Sequence, residues 1–274
     1  MDIHHDRRGT GEPLVLIHGI GHRWQAWEPV LDRLAEHHEV IAIDLPGFGR
    51  SPAPPRGTPR DMPHTVAVLA EFIASSGLGT PHVAGNSLGG GIALELASAG
   101  LVRSATALAP AGFFSQADRL RALAILSALR AGTFLPAPVI YRAMRVGAVR
   151  AAMLAPIVAR PRLLDPERAA GDALALRSRS FHPVAWAGRT YQFTGAPAVP
   201  VTVAWGSRDR ILPPRQARLA RVRLPRARHE TLVGCGHVPM SDAPDRVAEL
   251  ILQTTGALSR PVQQPGQRAG SSAD

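Results

Sequence analysis

An alcohol, a carboxylate and an imidazole, the three groups that together perform nucleophilic acyl transfer, each stand in this chain in a turn that follows an apolar run. Ser87 lies in Gly85-Asn86-Ser87-Leu88-Gly89, directly after Pro81-His-Val-Ala and directly before Gly90-Gly-Ile-Ala-Leu-Glu-Leu-Ala. This reads as strand, sharp turn, helix. A nucleophile on such a turn takes a strained backbone conformation, and the glycines two residues before and after it let neighbouring backbone approach without a Cβ clash. An ordinary glycine-rich βα turn shares the composition, so the flanking pattern carries the reading. The helix that begins there aims unpaired N–H groups and a positive dipole end at the reacting centre, which makes the backbone N–H of Leu88 a candidate oxyanion donor. A second donor is needed. The run Leu14-Val-Leu-Ile-His18-Gly19-Ile20-Gly21 supplies a strand followed by a flexible turn, with the N–H of Ile20 as candidate.

Asp209 follows Val199-Pro-Val-Thr-Val-Ala-Trp205 in the turn Gly206-Ser-Arg-Asp-Arg, at the carboxyl end of an expected parallel strand, where sites of open α/β sheets belong. A helix cap or a partner for Arg208 or Arg210 is the plainer use of that carboxylate. His237 sits in Gly234-Cys-Gly-His-Val-Pro239, where a loop can swing an imidazole over the sheet edge. His18 could serve as a base, but a histidine at a strand end more often holds a loop. Cys235 has no separate base beside it and reads as packing.

The elements that must hold these turns follow from hydrophobic periodicity. Short apolar runs alternate with helical-period segments up to about residue 110 and again from about 199, the pattern of βαβ units and a parallel sheet. Expected strands are 13–17, 39–43, 81–84, 104–109, 199–205 and, more weakly, 229–233; expected helices are 24–36, 61–75, 87–99, 214–221 and 243–254. Residues 112–190 break the rhythm: 120–131, 139–153 and 167–179 read as amphipathic helices without a buried strand between them, punctuated by prolines. We expect a core of residues 1–111 and 191–256, a helical lid over 112–190, and a disordered tail over 257–274, where Gly, Ser, Pro, Gln and Arg dominate. No internal repeat is evident.

Composition bounds the rest. The chain has 274 residues, 45% hydrophobic and 19% charged, enough to bury one large core. Its formal charge is +10, and every cation among Lys and Arg is arginine. Residues 112–190 hold twelve arginines against four carboxylates. They are scattered at helical spacings without any nucleic-acid motif, so nucleic acid is not an expected partner. A solvated face with weak contact to an anionic membrane surface is. The first residues carry no apolar run of signal-peptide length, and the later ones are interrupted by arginine, so a cytoplasmic location is expected. One cysteine allows neither an intrachain disulfide nor cysteine-based zinc spacing.

The elbow around Ser87, the His-Gly turn followed by Trp27, the segment Asp44-Leu-Pro-Gly-Phe-Gly-Arg-Ser51, the turn Trp205-Gly-Ser-Arg-Asp209 and the Cys-Gly-His237 turn together resemble the α/β-hydrolase superfamily over about residues 3–255, in the branch of esterases, lipases, C–C bond hydrolases and cofactor-free perhydrolases. The resemblance implies a mostly parallel sheet flanked by helices, with the lid inserted after the family's sixth strand. It also implies a Ser87, Asp209, His237 triad in the order used by that fold, with neither cofactor nor metal. The segment Asp44–Ser51 is then a structural loop. Ile3-His-His-Asp-Arg-Arg stands about where the family's second strand lies, so seven strands are expected rather than eight. Asn86 and Val238 are candidate substrate-lining residues. Asn86 resembles the C–C hydrolases, whereas Val238 stands where those enzymes carry tryptophan. Serine at 87 argues against epoxide hydrolase and dehalogenase relatives, which use aspartate there. The expected function is hydrolysis of an ester of a small hydrophobic acyl compound. C–C hydrolysis of a ring-cleavage diketone is the main rival, followed by a low-turnover ligand receptor and by an interaction protein using the arginine-rich lid.

Overall fold

The computed structural model describes residues 2–259. Seven strands, β1 (His5–Arg8), β2 (Pro13–Ile17), β3 (Glu39–Ile43), β4 (His82–Asn86), β5 (Ser104–Leu108), β6 (Val201–Gly206) and β7 (Arg228–Leu232), form one sheet in the order β1-β3-β2-β4-β5-β6-β7. β1 pairs antiparallel with β3 and the rest are parallel, with Leu14 opposite both Val40 and His82. Because side chains alternate across a strand, both faces must be apolar when helices cover both. Val15, Ile17, Ile41, Ile43, Val203 and Trp205 point into one core layer, and Leu14, Leu16, Val40, Ala42 and Ala204 into the other. The first layer is closed by α2 (Met62–Ser75), α3 (Leu88–Ser98) and α9 (Arg215–Arg223). The second is closed by α1 (Glu28–Ala35) and α11 (Pro244–Thr255), through residues such as Leu31, Leu34, Val247 and Ile251. No helix among the described residues is long and apolar enough to cross a membrane.

Between β5 and β6 the chain makes a purely helical excursion, α4 (Gln116–Ala131), α5 (Ala137–Arg145), α6 (Gly147–Leu154), α7 (Pro166–Ala175) and α8 (Phe181–Ala187). One helix expected over 139–153 is two, because Val146 is extended (φ −84°, ψ 110°) before Gly147. A β-branched residue followed by glycine is a weak point for helix continuation, and the pattern of apolar spacing runs through it unchanged. The helix expected to reach residue 179 ends at Ala175, and α8 and the short α10 (Pro239–Asp242) were not foreseen. The excursion is tied to the core: Ser178 Oγ donates to the carbonyl of Gly47 at 2.6 Å and Arg215 pairs with the buried Asp118 at the start of α4. Of the tail expected from 257, Ala257–Ser259 form a 3-10 turn and the remainder lies outside the described residues.

Candidate active site

Ser87 occupies the junction of β4 and α3 with φ 57° and ψ −115°, a left-side conformation that a non-glycine residue holds only under tertiary constraint. Its N–H donates to the carbonyl of Leu108, and its carbonyl accepts from Gly91 and Ala111. The flanking glycines are obligatory for a measurable reason. A Cβ at Gly85 would lie 2.0 Å from the carbonyl oxygen of Gly89, and one at Gly89 would lie 2.2 Å from that of Ile17. The elbow therefore packs backbone directly on backbone.

Asp209, wholly buried in its side chain, sits in the turn after β6. Oδ1 accepts from the N–H groups of Ile211 and Leu212, each at 2.8 Å, and Oδ2 faces Nδ1 of His237 at 2.8 Å. One oxygen therefore braces its own turn and the other meets the His237 ring, in place of the helix cap expected as the plainer use. With Nδ1–H donated to the carboxylate, the Nε2 of His237 is left as the acceptor. The histidine loop is pinned on three sides. The N–H groups of His237 and Val238 donate to the carbonyl of Ile157 at 2.8 and 3.2 Å, and the side-chain amide of Asn86 donates to the carbonyl of His237. Asp242 gathers the N–H of Gly236 at 2.7 Å together with those of Ala159 and Arg160.

Ser87 and His237 line one cavity, with Ile20, Asn86 and Val238 also in its wall; a second cavity that shares Ile20 and Ser87 is lined by Leu88 as well. Among the described residues no hydrogen bond takes up the N–H of Ile20 or of Leu88. Every sequence-derived candidate is therefore on the wall of a cavity at Ser87 except Asp209, which lies behind His237.

The other candidates resolve by their bonds. His18 Nε2 accepts from the N–H of Leu45 at 2.9 Å and Nδ1 reaches the carbonyl of Gly19 at 2.7 Å, so the ring links two loops. Burial pushes its imidazole down to about 3, which keeps it neutral. Asp44 accepts from the N–H groups of Trp24 and Arg50 and so is a loop brace. Burial raises the thiol of Cys235 to about 11, which leaves almost no thiolate at neutral pH.

Sequence reasoning missed four polar residues here. His22, just past the Gly19-Ile20-Gly21 turn, and Asp172, in α7, share the first cavity wall with Ser241. No spacing rule joins residues 150 positions apart. Asp242 was visible only as an acid near the start of the last helix.

With this geometry in view, the chain matches the alpha/beta hydrolase family over residues 14–250. An uncharacterised protein of Mycobacterium tuberculosis is 30% identical over 265 residues, covering 89% of this chain and 75% of that one. Among solved structures, a thermophilic esterase of Thermogutta terrifontis overlays with a TM-score of 0.71 at 21% identity, covering 92% of each chain. A meta-cleavage product hydrolase of Pseudomonas fluorescens overlays at 0.74 with 19% identity over 93% of this chain and 94% of that one. These two likenesses concern the fold; the match along most of the sequence, joined to a seven-stranded sheet with a serine elbow at its carboxyl edge, makes this chain a member of the alpha/beta hydrolase family.

Proposed function

We propose that the protein is a serine hydrolase that cleaves a carboxylic ester, or a similar acyl compound, of a small hydrophobic substrate through an acyl-enzyme. The observation that carries this reading is the 2.8 Å bond between buried Asp209 and His237 on the wall of the cavity that Ser87 shares. Nε2 of His237 takes the proton of Ser87 as Oγ bonds to the ester carbonyl carbon, and Asp209 holds the tautomer and stabilises the imidazolium. The oxygen that becomes negative is met by the N–H groups of Ile20 and Leu88. His237 returns the proton to the alcohol oxygen as that C–O bond breaks. Water, deprotonated by the same imidazole, then releases the acid and restores Ser87.

Residues 112–190 serve as the lid of this site. Leu126, Leu154, Ile157, Val158 and Leu176 from that segment make the wall apolar, which supports an apolar substrate. Ester cleavage is favoured over C–C cleavage because both amide N–H groups of Asn86 are taken by the carbonyls of Leu108 and His237 and so are withheld from a diketone. The exposed arginines of the lid, with Trp186 beneath the guanidinium of Arg189 at 4.1 Å, support weak contact with an anionic membrane surface by a protein located in the cytoplasm.

Purified wild type should hydrolyse nitrophenyl butyrate and become labelled by a fluorophosphonate, whereas Ser87→Ala should do neither while melting at a similar temperature. Undiminished turnover by Ser87→Ala would refute the assignment.

A further inference from the structure

We infer that the ester taken by this site joins an apolar acid to a hydroxyl-bearing alcohol, with the acyl chain in the second cavity and the alcohol in the first, where His22 and Asp172 hold its free hydroxyl. This rests on the hydrolase reading and specifies its substrate class.

The two cavities meet at Ile20, Ser87 and Leu126. They are not equivalent about the nucleophile. His237 and Val238 border only the first and Leu88 only the second. When the tetrahedral intermediate collapses, His237 must reach the departing oxygen, so the alcohol lies on the His237 side. The acyl chain then extends the other way, past the N–H of Leu88.

The chemistry of the two walls agrees with this division. The second cavity is built from apolar residues such as Met62, Leu123, Leu126 and Val184, and its polar members are engaged within the protein, the Nε of Arg119 excepted. The Tyr191 hydroxyl donates to Glu95, the Asp61 carboxylate caps α2 at His64, and the Thr65 hydroxyl donates to the carbonyl of Asp61. Arg60 reaches the carbonyl of Pro54, and the terminal nitrogens of Arg119 reach the carbonyls of Arg189 and Tyr191. Such a wall accepts a hydrocarbon chain.

In the first cavity one polar pair stands unclosed. Nδ1 of His22 accepts the N–H of Arg23 at 3.1 Å, so the ring proton is on Nε2. Burial holds this imidazole below its ordinary range and thus neutral. Nε2 faces Oδ2 of Asp172 at 3.8 Å, too far for a hydrogen bond between them. Arg23 and Arg168, at 3.4 and 4.0 Å from Asp172, supply its counter-charge. A donor and an acceptor thus stand side by side on the wall. A hydroxyl satisfies both at once, by accepting from Nε2–H and donating to Oδ2. A ketone cannot donate, and a carboxylate would be repelled by Asp172.

The test compares glyceryl mono-octanoate with propyl octanoate, which share the acyl group and the carbon count of the alcohol. Wild type should favour the glyceryl ester in kcat/KM by about tenfold or more, since a site built for a hydroxyl discriminates against its absence. Asp172→Asn and His22→Phe should each lower that ratio at least about fivefold, chiefly by raising KM for the glyceryl ester. Both esters are measured on one preparation, so the ratio does not depend on how much of a variant folds. A wild-type ratio near one, or a ratio preserved in both variants, overturns the inference while leaving the hydrolase reading in place. So does hydrolysis of neither ester by a protein that still reacts with the fluorophosphonate. Absence of both hydrolysis and labelling sinks the hydrolase reading and this inference with it.

Discussion

Asn86, one residue before the proposed nucleophile, donates its side-chain amide to the carbonyl of His237 at 2.9 Å and to that of Leu108 at 3.1 Å. The strand that carries Ser87 and the loop that carries the proposed base are therefore held in register by a single buried side chain. Asn86→Ala would leave the buried carbonyl of His237 without a donor, at about 1–3 kcal/mol, while that of Leu108 keeps the N–H of Ser87. Thermal melting should fall accordingly. Turnover should drop by about tenfold or more, with KM little changed, because the imidazole loses its placement and the pocket keeps its shape. Kinetics on nitrophenyl butyrate check this; a raised KM at constant kcat would instead make Asn86 a substrate contact.

Asp209 presents a different case, because its two oxygens have separable duties. Asp209→Asn can keep an oxygen toward the N–H groups of Ile211 and Leu212, which preserves the turn. Its amide would then face Nδ1 and force the proton to Nε2, the atom required to accept one. We expect kcat to fall by about 10²–10⁴-fold with a melting temperature close to wild type. An activity loss matched by a comparable loss of stability would reduce Asp209 to bracing its own turn.

The fold was legible where local pattern and tertiary role coincide. Leu14 to Ile17 and Val40 to Ile43 are buried on both faces, as their continuous apolar runs imply, and the Gly85 and Gly89 positions tolerate no side chain at all. The candidate site was legible where a residue type is bound to a particular turn, and there the structure brings Asp209 and His237 into contact and sets His237 and Ser87 on one cavity wall. What escaped depends on long-range approach. Asp172 is one polar residue on an amphipathic helix until α7 docks beside His22, and the break at Val146 is invisible to a periodicity that continues across it. The carboxyl-end turns announce themselves in sequence, whereas the helical excursion that lines the cavity beside them is specified by packing.

Asp242 joins the excursion to the histidine loop, since its carboxylate accepts from Ala159 and Arg160 on one side and Gly236 on the other. Asp242→Ala would orphan three N–H groups at the point where the excursion meets the histidine loop. Activity should fall by about tenfold or more, and native-state hydrogen exchange should speed up around residues 157–160 and 235–238 together. Faster exchange in only one of these segments would show that the carboxylate does not couple them.

Buried neutral histidines set the acid side of the stability curve. His18 is pushed down to about 3, and burial also lowers His22 and His38. Their charged forms are disfavoured in the folded protein, so the unfolded chain binds more protons below its ordinary histidine value of about 6.5. Stability is therefore complete above about pH 6.5 and declines as pH falls below it. At pH 5 His18 alone should cost about 2 kcal/mol, because each pH unit between its unfolded and folded values is worth about 1.4 kcal/mol. Denaturant unfolding at pH 7.5, 6 and 5 should show this decline, and His18→Gln, though less stable at neutral pH, should show a shallower one. A curve flat from 7.5 to 5 would mean that these rings take up protons in the native state, and that the link His18 makes between Gly19 and Leu45 does not depend on its neutrality.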